Sequence, residues 1–112
     1  FGQTVKAFGK LLKSNDLATP SGHVYLPDYL ETNNADIWKK ACDDAAELGQ
    51  EYIVLPWLDE KYRPNSAEGY AKVAAMLNEM GKISKAAGLK FAYHNHEFEF
   101  KYNEAAKTSL YQ

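Results

Sequence analysis

Residues 94–99 read His-Asn-His-Glu-Phe-Glu and directly follow a short apolar run. Imidazoles change charge near neutral pH, and together with carboxylates they suit proton transfer and the binding of divalent metal ions. An unpaired buried imidazole would cost about 1–3 kcal/mol of folding free energy. His94 and His96 are therefore expected to face a ligand or hydrogen-bond partners. The alternative is a polar strand end that only reaches water.

Alternation along a strand predicts where these side chains point. Ala92, His94 and His96 share one face, while the larger apolar residues occupy the other face and are expected to pack on helices. The two histidines are thus predicted at the interior or the mouth of a sheet. The same alternation puts Glu97 and Glu99 on the opposite face, unless the strand ends near His96 and the chain turns.

Two other predicted strands run into residues that suit ligand binding. His23 follows the first strand and Trp57 follows the second. Because the carboxyl ends of parallel strands meet at one edge of a sheet, both are expected beside the imidazoles. An indole stacks well on a sugar, although core packing for Trp57 and a backbone hydrogen bond for His23 are open alternatives. Tyr62 and Arg63 are expected to be solvated loop residues, with contact to a ligand as the alternative.

The sequence contains three units of the same kind, each with an amphipathic helix, a residue that ends the helix and a short apolar strand. These units are expected to position the residues described above. Asn34 and Ser66 are the predicted caps of the second and third helices. The predicted stops are Asn15, Gly49 and Gly88. The predicted strands are Leu17–Thr19, Tyr52–Leu55 and Leu89–Tyr93. A short hairpin from Phe98–Tyr102 through residues 103–107 to Ser109–Tyr111 is predicted to follow.

This alternation predicts an α/β fold, because each helix returns the chain to the same end of a parallel sheet. A doubly wound sheet and a (β/α)8 barrel both fit the pattern. A barrel takes about 250 residues, so the barrel interpretation makes residues 1–112 a fragment of a single barrel domain. About three parallel strands with flanking helices would leave two open sheet edges. Marginal stability, self-association or pairing with partner strands is expected.

The charge, the apolar content and the single cysteine of the chain argue against several classes of protein. Thirteen Lys and Arg against fifteen Asp and Glu give a formal charge of −2, without a basic run that would neutralise phosphates. No nucleic-acid partner is therefore expected. No apolar stretch approaches the roughly 20 residues of a membrane span. Cys42, the single cysteine, is expected to be a buried thiol, which fits a cytoplasmic location. Since the chain opens on Phe1, a removed leader remains open.

Three segments resemble, in order, the sugar phosphate isomerase/epimerase proteins of the xylose isomerase-like barrel superfamily. They are Ser21-Gly-His23, Glu51-Tyr-Ile-Val-Leu-Pro-Trp57 and Gly88-Leu-Lys-Phe-Ala-Tyr-His-Asn-His-Glu-Phe-Glu-Phe100. The resemblance covers nearly the whole chain, and its third segment is the most specific. It implies a partial TIM barrel, with residues 1–16 as the second barrel helix and the three strands as the third to fifth of eight.

The resemblance also implies a chemistry. A divalent cation, Mn²⁺ or Mg²⁺, would polarise the oxygens of a small-molecule sugar or sugar derivative, while a proton moves between adjacent carbons through an enediolate. Many relatives carry a glutamate followed by Asn at the end of the fifth strand, where this chain has His94 and Asn95. The implied site is Glu99 for the metal, His94 and His96 for catalysis, and His23, Trp57 and Asn95 for substrate binding.

Three functions stay open on these grounds. The first is a metal-dependent sugar isomerase or epimerase, and the second is a non-catalytic carbohydrate-binding protein, which His94 in place of a glutamate favours. The third is an endonuclease IV-like nuclease, against which the acidic composition weighs. Residues 1–112 alone are expected to show negligible turnover, because the remaining ligands and the second acid/base group would come from later strands.

Overall fold

A computed structural model describes residues 2–110 of the chain. Its helices are α1 (Val5–Ser14), α2 (Pro27–Thr32), α3 (Ala35–Glu47) and α4 (Ala67–Ala86), and its strands are β1 (Ser21–His23), β2 (Tyr52–Leu55) and β3 (Lys90–Tyr93). Short 3₁₀ turns lie at Glu60–Tyr62 and Glu97–Phe100. None of the helices in this range is long and apolar enough to cross a membrane.

The three strands form one parallel sheet in the order β1-β2-β3, which confirms the predicted α/β class. Gly22 pairs with Ile53, which pairs in turn with Phe91. The ladder continues past the strands, since the backbone N–H of His94 donates to the Leu55 carbonyl at 3.0 Å. All three strands therefore deliver their carboxyl ends to the same edge of the sheet. Within residues 2–110, β1 and β3 are the two edge strands.

Local signals fix the helix ends. The Asn34 side chain accepts from the Asp36 N–H, and the Ser66 hydroxyl accepts from the Gly69 N–H, so both predicted caps are confirmed. Two predicted stops have the left-handed backbone that glycine tolerates, with φ of 77° at Gly49 and 81° at Gly88. The first helix ends at Asn15, whose φ is −113°, and the left-handed residue is the next one, Asp16.

The core lies between α3, α4 and the helix-facing side of the sheet. Trp38 is fully buried, and its indole N–H lies 3.0 Å from the Ser84 hydroxyl and 3.2 Å from the Met80 carbonyl. Its ring packs edge-on against Phe91, as the alternation along β3 predicts. Cys42 is fully buried, as expected, and burial raises the pKa of its thiol.

One predicted strand and the predicted hairpin are wrong. Leu17–Thr19 is not a strand, because pairing with β2 starts only where the Pro20 carbonyl accepts from the N–H groups of residues 51 and 52. The hairpin after β3 is also absent from the described residues: Glu97–Phe100 forms a 3₁₀ turn, and only one antiparallel bridge, between Asn103 and Thr108, follows. The far end of that predicted hairpin, Tyr111, lies outside the described residues.

Candidate functional site

Three imidazoles form a contiguous group at the carboxyl edge of the sheet, which we call the imidazole row: His23, His94 and His96. The ring centroids of His23 and His94 are 5.1 Å apart, although β2 separates their strands. The rings of His94 and His96 are stacked, with centroids 4.8 Å apart and 3° between their planes. The common edge predicted from parallel pairing is therefore present, and it places these three rings together.

Trp57 closes one side of the imidazole row. Its ring meets His96 edge-on, with centroids 4.5 Å apart, and lies 5.6 Å from the ring of Phe98. The indole is half-buried, so part of its surface is open to a ligand. Asn95 is exposed between the two histidines, and its side chain makes no hydrogen bond within residues 2–110.

Glu99 lies behind this edge and not in the row. Only 1% of the residue is exposed. One carboxylate oxygen accepts from the Tyr93 hydroxyl at 2.5 Å, and the other accepts from the backbone N–H of His96 at 2.6 Å. Burial, and then the hydrogen bond to Glu99, raise the pKa of Tyr93. The strand ends at Tyr93 and the chain turns, which is how Glu99 comes back to contact residue 96.

The two histidines of the opening motif differ in environment. His94 is exposed at the carboxyl edge of the sheet, where water can solvate its imidazole. His96 is partly buried at the start of the 3₁₀ turn, where its backbone N–H donates to the Glu99 carboxylate. Its Nδ1 atom is inaccessible to solvent and makes no hydrogen bond with any other residue in the range 2–110. His96 is thus the imidazole with an unmet polar atom.

The described residues do not by themselves form a metal site. No group of three or more His, Cys, Asp or Glu side chains in residues 2–110 is arranged to hold an ion. The carboxylate of Glu99 already accepts two hydrogen bonds. Glu99 as a metal ligand therefore stays a prediction, and an ion would need donors from further strands.

Sequence reasoning missed the contact between Arg63 and Phe98. The expectation of a solvated loop residue is wrong for Arg63, which is half-buried with its Cζ atom 3.5 Å from the centre of the Phe98 ring and 4.9 Å from that of Trp57. Its Nε–H donates to the Leu58 carbonyl at 2.9 Å. No local pattern reveals this contact, because the two partners belong to loops after different strands.

Comparison with known proteins supports this architecture. The family model described as a xylose isomerase-like TIM barrel matches residues 1–108. A crystal structure of a sugar phosphate isomerase/epimerase from Parabacteroides distasonis ATCC 8503 is 29% identical, with a TM-score of 0.79 over 97% of this chain and 41% of that chain. No curated protein matches the chain.

A second crystal structure of a sugar phosphate isomerase/epimerase from the same organism is 23% identical, with a TM-score of 0.75 over 91% of this chain and 42% of that chain. This second likeness supports the fold. The chain spans less than half the length of either solved structure. The three parallel strands and their flanking helices are thus part of a barrel fold, and the chain belongs to the xylose isomerase-like TIM barrel family.

Proposed function

We propose that the whole protein is an isomerase or epimerase of a sugar or sugar phosphate. The observation that carries this proposal is the imidazole row beside the Trp57 indole at the carboxyl edge of a parallel sheet. In barrels of this class, that edge is where substrates bind. The likeness to a solved sugar phosphate isomerase/epimerase at 29% identity supports the substrate class.

The chemistry assigned to the row is proton transfer. A carbon next to a carbonyl loses its proton to a neutral imidazole, and the resulting enediolate takes a proton back at the same carbon or at its neighbour. Return of the proton to the opposite face of the same carbon inverts that centre, and return to the neighbouring carbon interconverts an aldose and a ketose. His94 and His96 are proposed for this role, since they are stacked at the edge and His94 is open to a ligand.

Substrate binding is assigned to the other side chains of this edge. The indole of Trp57 offers an apolar face for the C–H groups of a sugar ring. His23 and Asn95 are exposed there and would bind hydroxyl groups. A divalent ion, Mn²⁺ or Mg²⁺, would stabilise the enediolate when bound. Glu99 is its candidate ligand, and no proton transfer described above depends on that ion.

Incubation of the whole protein with aldoses, ketoses and their phosphates in D₂O tests the proposal. NMR is expected to show deuterium entering the carbon next to the carbonyl, and the His94→Ala and His96→Ala variants are expected to slow this exchange. A sugar that stabilises the protein but never exchanges its proton would overturn the enzymatic assignment. That outcome would favour a non-catalytic carbohydrate-binding protein, the role that His94 in place of a glutamate suggests.

A further inference from the structure

Arg63 is held in a fixed orientation beside the candidate site. Its guanidinium stacks on Phe98, and its Nε–H is bound to the Leu58 carbonyl. It forms no ion pair with any side chain in residues 2–110. Among the described residues, the two terminal nitrogens of the guanidinium therefore have no carboxylate partner, and the planar fork is available to bind an anion.

A groove of about 390 Å³ opens beside Arg63. Lys101 also lines it, so two cations from loops after different strands meet there, against the single carboxylate of Glu60. Aromatic rings of Tyr70 and Tyr102 complete the wall, and Tyr102 is 55% exposed. The groove thus combines a net positive charge with flat apolar surfaces, the combination that suits an anionic sugar derivative.

The groove adjoins the imidazole row. Trp57 and Phe98 both contact the ring of His96, and both lie against the guanidinium of Arg63. One layer of aromatic rings therefore separates the cation from the imidazoles. Phe98 lines the groove and its ring is stacked with that of His96, so a substrate that sits in the groove and extends past this ring would bring its reacting carbons to the row.

We propose that Arg63, assisted by Lys101, binds the anionic group, phosphate or carboxylate, of the substrate that reacts at the imidazole row. This inference rests on the proposed function. The planar fork of arginine binds either group with two parallel hydrogen bonds, and its stacking on Phe98 holds the fork in place before the substrate arrives. Arg63 would then determine specificity for anionic sugars over neutral ones.

Isothermal titration calorimetry tests this proposal with three probes: fructose 6-phosphate, glucuronate and neutral fructose. At least one anionic probe is expected to bind the unmodified protein more tightly than fructose. Arg63→Gln is expected to weaken that binding about tenfold or more, while fructose binding stays unchanged. Lys61→Gln is the matched control, because Lys61 is exposed, pairs with Glu31 and does not line the groove.

Two further variants keep the test decisive if Arg63→Gln fails to fold. Arg63→Lys keeps the charge without the fork, and Lys101→Gln removes an exposed cation; each is expected to weaken binding of the anionic probe by a smaller factor. If the folded Arg63 and Lys101 variants bind the anionic probe as tightly as the unmodified protein, the proposed anion-binding role of Arg63 is overturned. Deuterium exchange into a neutral sugar would then still support the proposed isomerase or epimerase function. Conversely, Arg63-dependent binding of an anionic probe without any exchange would support anion binding by Arg63 and not the enzymatic function.

Discussion

The carboxylate of Glu99 ties the end of β3 to the segment that carries the imidazoles, because it accepts from both the Tyr93 hydroxyl and the backbone N–H of His96. Hydrogen bonds to charged groups contribute about 1.5–3 kcal/mol each, and this carboxylate is almost completely shielded from water. The position of His96 in the imidazole row therefore depends on a carboxylate that binds its backbone from behind the row.

Glu99→Gln is expected to lower the free energy of unfolding by about 1–3 kcal/mol. The amide keeps the shape of the side chain, but its NH₂ group must face one of the two donors that the carboxylate accepts from. Urea denaturation measures the change. Glu97→Gln is the control, since Glu97 is exposed in the same 3₁₀ turn and is expected to shift stability by less than about 0.5 kcal/mol. Equal urea midpoints for the two variants would contradict the proposed stabilising role of the Glu99 carboxylate.

Stability is expected to fall in alkaline solution, in part through Tyr93. Its folded-state pKa is raised above the ordinary tyrosine value of about 10, so above that pH the folded chain retains a proton that the unfolded chain loses. Its contribution to stability is complete below about pH 10 and declines as the pH rises towards the folded-state pKa. One such group adds a slope of at most about 1.4 kcal/mol per pH unit.

The measurement is the urea midpoint at pH 9, 10 and 11. Tyr93→Phe is expected to flatten the decline. Tyr25→Phe is the comparison: the hydrogen bond from the Tyr25 hydroxyl to Asp59 raises the pKa of Tyr25 to about 12, but this residue is 37% exposed and solvent screens the effect. If Tyr25→Phe reduced the alkaline decline of the urea midpoint more than Tyr93→Phe does, burial of Tyr93 would not be the main cause of that decline.

Kinetics of the whole protein are expected to separate the two groups of site residues. His94→Ala and His96→Ala remove proposed proton carriers and should lower kcat by a factor of about 10² or more. His23→Ala and Trp57→Phe remove proposed binding contacts and should act mainly on KM. Steady-state assays with an exchanging sugar from the D₂O experiment measure both parameters. If Trp57→Phe lowered kcat while the His94 and His96 variants did not, the assignment of proton transfer to the histidines and of binding to Trp57 would be wrong.

Much of the fold is predictable because its signals are local. Asn34 and Ser66 cap helices through their own side chains, and the left-handed backbone at Gly49 and Gly88 favours glycine. The gathering of the imidazoles is also predictable, since parallel pairing brings strand ends to one edge whatever the intervening sequence.

The rest depends on contacts between distant residues. Glu-Phe-Glu-Phe at residues 97–100 has the period of a strand, yet it forms a 3₁₀ turn because the Glu99 carboxylate is bound by groups at residues 93 and 96. The stacking of Arg63 on Phe98 joins two loops, so neither loop reveals it. The short β1 has a weak apolar pattern, and only its pairing with β2 locates it.

The 112-residue chain is expected to self-associate through its sheet edges. Within residues 2–110, β1 and β3 each pair on one side only, so their outward N–H and C=O groups are free to pair with another strand. In a closed barrel, neighbouring strands would occupy both edges. Sedimentation velocity and thermal melts at several concentrations measure the effect, with larger species and a concentration-dependent Tm as the expected result. A monodisperse monomer with a sharp melt at every concentration would contradict this expectation, because it would mean that three parallel strands are stable with both edges open.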